Sequence, residues 1–288
     1  MRPEGPLELD AGYVRAAVEF ALLEDAPHGD ITSLACVDAG AVVDGRIIAK
    51  AAGVIAGLDF AREAFRQCAV ECQPRLADGA RVERRDLILT LDDAPARGVL
   101  RAERVALNFL QHLSGIATAT ARFVAAVEGT GAAILDTRKT TPGLRLAEKA
   151  AVRSGGAQNH RQGLSDGVLI KENHIRAAGG IAAAVKRALD ARPDDAFLEC
   201  EVTNLQELAE AMDAGARMTL LDNMDLDTMR RAVEMARERG VRTEASGNVT
   251  LETVRAVAQT GVDFISTGWI THSAPALDLS LLLDHKSG

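Results

Sequence analysis

The sequence predicts an α/β barrel preceded by a smaller domain of different texture, and three observations carry that reading. From Ala132 onward, short β-branched or aliphatic runs alternate with amphipathic helical segments, the pattern that builds a parallel sheet through crossover helices. The unusual polar residues fall at the C-terminal ends of the expected strands. Before about Ser114 the alternation is absent, and no low-complexity linker separates the two parts.

In the first part a helix is expected near Tyr13–Glu24, with β-like segments at Val42–Ala51 and Leu87–Leu91 and a helix near Leu58–Cys68 between them. The apolar-periodic run Ala102–Val127 reads as a helical bridge. This places an N-terminal domain over residues 1–114 and a barrel with a C-terminal tail over 115–288. The barrel strands expected are Ala132–Asp136, Gly167–Lys171, Phe197–Val202, Met218–Asp222, Arg242–Ala245 and Asp263–Ser266. The helices between them are Ile181–Ala191, Leu205–Ala214, Leu226–Arg239 and Leu251–Gln259, each apolar at the 3.6-residue period. An open doubly wound sheet uses the same units, but it gathers only the strand ends near its switch point. A barrel brings all of its strand ends into one ring, and here each of six strands ends in polar residues.

Composition narrows the partners. The 288 residues carry a formal net charge of −8, which repels nucleic acid and anionic lipid headgroups at long range. One Trp and one Tyr leave few rings for base stacking. Cys36, Cys68, Cys72 and Cys200 lack the two-residue spacing of a zinc site or redox dithiol and read as free buried thiols. The N-terminal MRPEGPLELD does not resemble a signal peptide, and no apolar run is long enough to span a bilayer. A cytoplasmic protein with neither nucleic-acid nor membrane partners is expected.

Within this acidic chain, residues 136–176 are net positive. Arg145, Lys149 and Arg153 stand at helical spacing and read as a solvated helix face. Arg138, Lys139, Arg161 and Lys171 lie instead at strand ends or in a Gly-rich connection, where a barrel directs side chains into its pocket. Clustered cations repel unless anions lie between them, so a dicarboxylate, a polyphosphate or both are expected. Glu201 and Asp222 end the next two strands and read either as ion-pair partners or as carboxylates for Mg²⁺ and sugar hydroxyls. Ser246-Gly247-Asn248 and Ser266-Thr267-Gly268 end the last two, where small residues let backbone N–H groups approach a phosphate. His160 falls in a flexible polar segment and is expected to line the pocket, whereas His174 reads equally well as a structural histidine.

The strings themselves resemble the quinolinate phosphoribosyltransferase family. They are Asp-Thr-Arg-Lys-Thr-Thr-Pro-Gly at 136–143, Asn-His-Arg at 159–161 and Leu-Ile-Lys-Glu-Asn-His-Ile at 169–175. Gly-Asp-Ile-Thr-Ser at 29–33, Glu-Arg-Val-Ala-Leu-Asn at 103–108, Leu-Asp-Asn at 221–223 and Glu-Ala-Ser-Gly-Asn at 244–248 extend the likeness over nearly the whole chain. A branch found at molybdenum-transport loci shares much of this pattern, and Thr141 before Pro142 looks more like the quinolinate branch. Ala157 stands where relatives often carry a third glycine, and a required positive φ there would shift the loop.

The resemblance implies an N-terminal α/β sandwich joined to an incomplete, seven-stranded α/β barrel, one strand more than the pattern reveals. It implies a homodimer, or a higher assembly of dimers, whose activity is phosphoribosyl transfer from phosphoribosyl pyrophosphate to quinolinate with decarboxylation. Carried over, Arg104, Arg138, His160, Arg161 and Lys171 would bind the quinolinate carboxylates, with Lys139 and Lys171 facing both substrates and Thr137 among the substrate-binding residues. Glu201 and Asp222 would hold the ribose hydroxyls and Mg²⁺, the metal mainly through substrate and water. Ser246, Gly247, Asn248, Thr267 and Gly268 would cradle phosphate. Lys139, Lys171, Glu201 and Asp222 would be the catalytic set, and Arg104 would reach the partner subunit's barrel. Two rival readings are a Schiff-base aldolase using Lys171, which leaves the other cations unexplained, and a non-catalytic phosphate-sensing barrel.

Overall fold

The structure, a computed structural model, describes residues 9–193 and 196–285. It divides into two compact units. One comprises Arg122–Arg145 and Ala157–Ser273; the other comprises the described residues up to Ala121, Leu146–Gly156 and those from Ala274 onward.

The second unit begins with α1 (Ala11–Asp25), whose N-terminus is capped by the Asp10 carboxylate accepting from Gly12 N at 2.9 Å. A short helix that the apolar pattern does not reveal, α2 (Ile31–Cys36), starts inside the Gly-Asp-Ile-Thr-Ser string. Its Asp30 carboxylate accepts from Thr32 N at 3.0 Å, from Ser33 N at 3.1 Å and from the Ser33 hydroxyl, and the hydroxyl bond above all holds the carboxyl below its ordinary range. Then follow β1 (Val42–Ala49), β2 (Gly53–Val54), α3 (Leu58–Gln67), β3 (Gln73–Pro74), β4 (Arg81–Val82), β5 (Leu87–Pro95) and the 31-residue α4 (Ala96–Ala126). Strand β1 buries every second residue, as a strand with one face on a core must. Helices α1, α3 and α4 meet at the buried Phe60, which stacks on Phe109 at 4.8 Å and meets Tyr13 edge-on at 6.2 Å.

The other unit is built from β6 (Ala133–Leu135), β7 (Gly167–Ile170), β8 (Phe197–Val202), β9 (Met218–Asp222), β10 (Arg242–Ser246) and β11 (Phe264–Ser266). Helix α5 (Arg145–Ser154) follows β6, and α6 (Glu172–Ala178) and α7 (Ile181–Ala191) follow β7. Helices α8 (Leu205–Asp213), α9 (Leu226–Glu238), α10 (Val254–Ala258) and α11 (Trp269–His272) follow the remaining strands in turn. All six strands are parallel, in the order β6-β11-β10-β9-β8-β7. The seventh strand is present in reduced form. Segment 157–160 pairs in parallel with β6 through one bridge, with Gln158 N donating to Ile134 O at 3.0 Å and Asp136 N to Gln158 O at 3.3 Å. Ala157 sits in this segment without a positive φ, and Gly156 takes that conformation at φ +90°, so the substitution leaves the turn intact. The last strand, β12 (Leu279–His285), pairs antiparallel with β1 to complete a four-stranded sheet of order β12-β1-β5-β3.

Three expectations need correction. The segment Leu251–Gln259 is helical only over Val254–Ala258, because Thr253 Oγ1 accepts from Thr250 N at 3.0 Å and turns the first residues into a local cap. Helix α5 is not a solvated face. It packs on α4, where a Cβ on Gly155 would meet the Ala117 carbonyl and Thr120, and Glu148 and Lys149 are both 0% exposed. Arg145 is half-buried and ties down its own loop, donating to Thr140 Oγ1 at 3.0 Å and to the carbonyls of Gln162 and Arg138 at 3.3 Å. The thiols are free, but Cys36, at the end of a helix whose single buried residue is Ser33, is exposed and Cys68 and Cys72 are half-buried; only Cys200 is fully buried.

Burial pushes the Cys72 thiol up to about 11 and that of Cys200 up to about 12. Iodoacetamide at about pH 8 should therefore label Cys36 in the native protein and spare Cys72 and Cys200, since only the thiolate reacts. Peptide mass mapping checks this, and labelling of Cys200 as fast as Cys36 would contradict the packing described.

Candidate active site

The C-terminal ends of β6 to β11 and the 157–160 segment open into one cavity of about 880 Å³. That is ample for two small anions side by side. Thr137, Arg138 and Lys139 enter it after β6, His160 and Arg161 from the reduced strand, and Lys171 after β7. Glu201 and Asp222 come from β8 and β9, Ser246, Gly247 and Asn248 from the end of β10, and Thr267 and Gly268 from beyond β11. Arg104, by contrast, is an exposed residue of α4 and does not line the cavity.

The cationic side is built on Asp136, which is fully buried at the end of β6. Its Oδ1 accepts from His160 N at 2.8 Å and its Oδ2 from Asn159 Nδ2 at 2.5 Å, so one carboxylate clamps the Asn-His-Arg string. Arg161 is 7% exposed and donates from Nη1 to Gly167 O at 2.9 Å, spanning from the reduced strand to β7. Burial, and after it the charge of Arg138, lowers the proton affinity of the Arg161 guanidinium. The charge of Arg138 is thus felt at Arg161. The buried Nε of Arg138 has no hydrogen-bond partner among the described residues. An anionic ligand would satisfy that donor and relieve the repulsion together.

Lys171 heads α6, and its ammonium stands 3.6 Å from Glu201 Oε2. His174 is structural in the manner expected of a local cap, its Nδ1 accepting from Lys171 N at 2.9 Å, although it also borders the cavity. Asp222 accepts from the Asn223 side chain at 2.9 Å. Asn223 and Asn248 both adopt left-handed backbone, at φ +52° and +48°, and their side chains join at 3.3 Å. Gly247 between the strand ends is obligatory twice over: its φ is +102°, and a Cβ would collide with the Asn223 amide.

The Thr267 hydroxyl donates to Val249 O at 3.2 Å and accepts from Trp269 N at 3.2 Å, which fixes the loop between β11 and α11. A Cβ on Gly268 would stand 2.8 Å from Lys139 Cδ, so that glycine clears the path of the lysine. Thr271 Oγ1 donates to Lys139 O at 2.7 Å and anchors its backbone.

Several lining residues escape the sequence reading. Trp269, the chain's single tryptophan, borders the cavity against Phe123 at 5.8 Å, and Leu164 and His272 stand on the rim. The most consequential is Glu244, with its neighbour Glu199; both are 0% exposed on strands that read as apolar. The signal is the i, i+2 spacing of Glu199 with Glu201 and of Glu244 with Ser246, which puts each pair on one strand face.

Comparison with known proteins agrees with this geometry. The profile described as "Quinolinate phosphoribosyl transferase, N-terminal domain" matches residues 30–114, and that of the C-terminal domain matches 116–282. The nicotinate-nucleotide pyrophosphorylase (carboxylating) of Mycobacterium leprae is 43% identical over 281 residues, covering 95% of this chain and 98% of the relative. A probable enzyme of the same name from Bacillus subtilis is 42% identical over 261 residues, 90% of this chain and 89% of its own. The solved structure of the nicotinate-nucleotide pyrophosphorylase from Francisella tularensis superposes with a TM-score of 0.92 at 42% identity, covering 96% of this chain and 98% of that one. The chain belongs to the quinolinate phosphoribosyltransferase family, the carboxylating nicotinate-nucleotide pyrophosphorylases of NAD biosynthesis.

Proposed function

We propose that the cavity binds quinolinate against Arg138, Arg161 and Lys171 and phosphoribosyl pyrophosphate against the opposite rim, and that Lys139 faces both. The observation that supports this reading is the enclosed Arg161 beside the half-buried Arg138, whose Nε has no partner among the described residues; two guanidiniums together suit more than one carboxylate. Arginine forks suit planar carboxylates, whereas the glycine-rich ends at Gly247 and Gly268 suit phosphate oxygens approaching the backbone. Glu201 and Asp222 offer oxygen donors from adjacent strands in the same cavity, a set that fits Mg²⁺ alongside sugar hydroxyls. When bound, Mg²⁺ would neutralise charge on the departing pyrophosphate.

The pocket's own work is positioning and electrostatics. Arg138 and Arg161 would hold the two carboxylates so that the pyridine nitrogen faces the ribose C1. That nitrogen displaces pyrophosphate through an oxocarbenium-like transition state, with Lys139 and Lys171 beside the leaving charge. Glu201 and Asp222 would orient the ribose. Once the ring nitrogen is quaternary, the adjacent carboxylate leaves as CO₂, because the pyridinium stabilises the resulting carbanion, which then takes up a proton from water at the same ring carbon. The product is nicotinate mononucleotide. We place the enzyme in the cytoplasm; no described helix is long and apolar enough to cross a membrane.

Purified protein given quinolinate, phosphoribosyl pyrophosphate and Mg²⁺ should release CO₂ and nicotinate mononucleotide. Nicotinate in place of quinolinate should not be turned over, since a monocarboxylate leaves buried cationic charge unpaired. Comparable rates with both acids would overturn this account of the pocket. Lys139→Ala and Lys171→Ala should each lower kcat by at least about a hundredfold, the scale of losing a charge partner in the transition state. Near-normal kinetics with either variant would remove that lysine from the chemistry.

Arg104 is exposed on α4, and we propose that it completes the site of the partner subunit in a homodimer. Inactive Arg104→Ala and inactive Lys139→Ala chains refolded together should form mixed dimers with one intact site, recovering roughly a quarter of wild-type activity. No recovery, with mixed dimers confirmed by a tag, would exclude a shared site.

A further inference from the structure

Beneath the mouth of the cavity, Glu199 of β8 and Glu244 of β10 converge on the ring of His160. His160 Nε2 lies 3.0 Å from Glu199 Oε2 and 3.6 Å from Glu244 Oε2, and all three side chains are almost wholly enclosed. Phe197 meets the imidazole edge-on at 5.6 Å and fixes its plane. Two carboxylates and a histidine with donor atoms within 4.8 Å of one another could hold either a metal ion or a proton. The other ring nitrogen decides between them. Nδ1 accepts the backbone N–H of Arg161 at 2.7 Å and therefore carries no hydrogen. A metal on Nε2 would then require an imidazolate, whereas a metal-bound histidine normally donates its second N–H. The position between Nε2 and the carboxylates is accordingly a proton's.

We infer that Glu199 and Glu244 are positioning residues that hold His160 as its neutral Nε2–H tautomer, and that this tautomer sets the backbone of Arg161 for the dicarboxylate. With Nε2–H donated downward, Nδ1 is left to accept from Arg161 N, while Asp136 accepts from His160 N at 2.8 Å. Successive peptide groups of the Asn-His-Arg turn are thus each fixed by a buried acceptor. Glu199 also acts electrostatically on Arg161, opposing the effect of Arg138. The carboxylates therefore secure the turn whose arginine meets substrate, without touching substrate through Glu199.

The inference rests on the dicarboxylate reading of the pocket, but its tautomer part can be measured without turnover. In protein with ¹⁵N-labelled histidine, long-range ¹H–¹⁵N spectra should show His160, assigned by its loss in His160→Gln, as the neutral Nε2–H form. Titration with diamagnetic Zn²⁺, with Mg²⁺ present in excess, should leave that resonance in place. Glu199→Gln retains an acceptor and should keep the tautomer, with KM for quinolinate within about threefold of wild type. Glu199→Ala should mix the tautomers and raise KM for quinolinate at least about tenfold, the scale of one charge-assisted hydrogen bond, while KM for phosphoribosyl pyrophosphate stays within about threefold. An Nδ1–H or doubly protonated His160 in the wild type, a metal-induced shift, or equal rises in both KM values would overturn the proposal. If Glu199→Ala does not fold, the wild-type spectrum and Glu199→Gln still decide it. Absence of any turnover with quinolinate would overturn the functional reading instead and leave the tautomer result standing.

Discussion

Two guanidiniums on one side of the same cavity repel each other, and the construction of the cavity follows from the need to hold them there. Arg161 is retained by its bond to Gly167 O, by the Asp136 clamp on the turn before it and by the buried carboxylates below. The opposing cost remains visible in Arg161, whose proton affinity burial and Arg138 lower together. A site arranged in this way is preorganised for an anion that brings more than one negative group. The electrostatic work is done in folding, so little reorganisation is left for the reaction itself.

The barrel supplies the means. Parallel strands present alternate residues inward, so each strand delivers one chemical group at its end and another a layer lower. On β8 these are Glu201 at the cavity and Glu199 beneath it; on β10 they are Ser246 and Glu244. In the proposed reading the upper residues meet substrate and the lower ones support them, although Glu244 also borders the cavity. Small residues complete the division of labour, for Gly247 and Gly268 give way to Asn223 and Lys139 where a side chain would block the rim.

Much of this was legible in the sequence because the barrel's alternating pattern fixes where a strand ends, and strand ends are where the chemistry lies. The six strands, the cations at 138, 139, 161 and 171 and the acids at 201 and 222 follow from that rule and meet in one cavity. What pattern alone could not reveal was set by context. The seventh strand is a polar segment holding to β6 by a single bridge, too short for a β-branched run. Lys149 has the spacing of a surface residue and is enclosed because α5 packs on α4. Glu199 sits in Phe-Leu-Glu-Cys-Glu-Val, where the apolar neighbours hide an inward-facing acid. Arg104 carries no local signal at all, and its suggested role comes from family resemblance.

The most direct test of the account is a crystal structure of the enzyme with quinolinate bound. The two carboxylates should lie within hydrogen-bonding distance of Arg138 and Arg161, with an oxygen reaching Arg138 Nε, and the pyridine nitrogen should turn towards Glu201 and Asp222. Quinolinate seated instead at the Gly247 and Gly268 rim, with Arg138 Nε still without a partner, would contradict it.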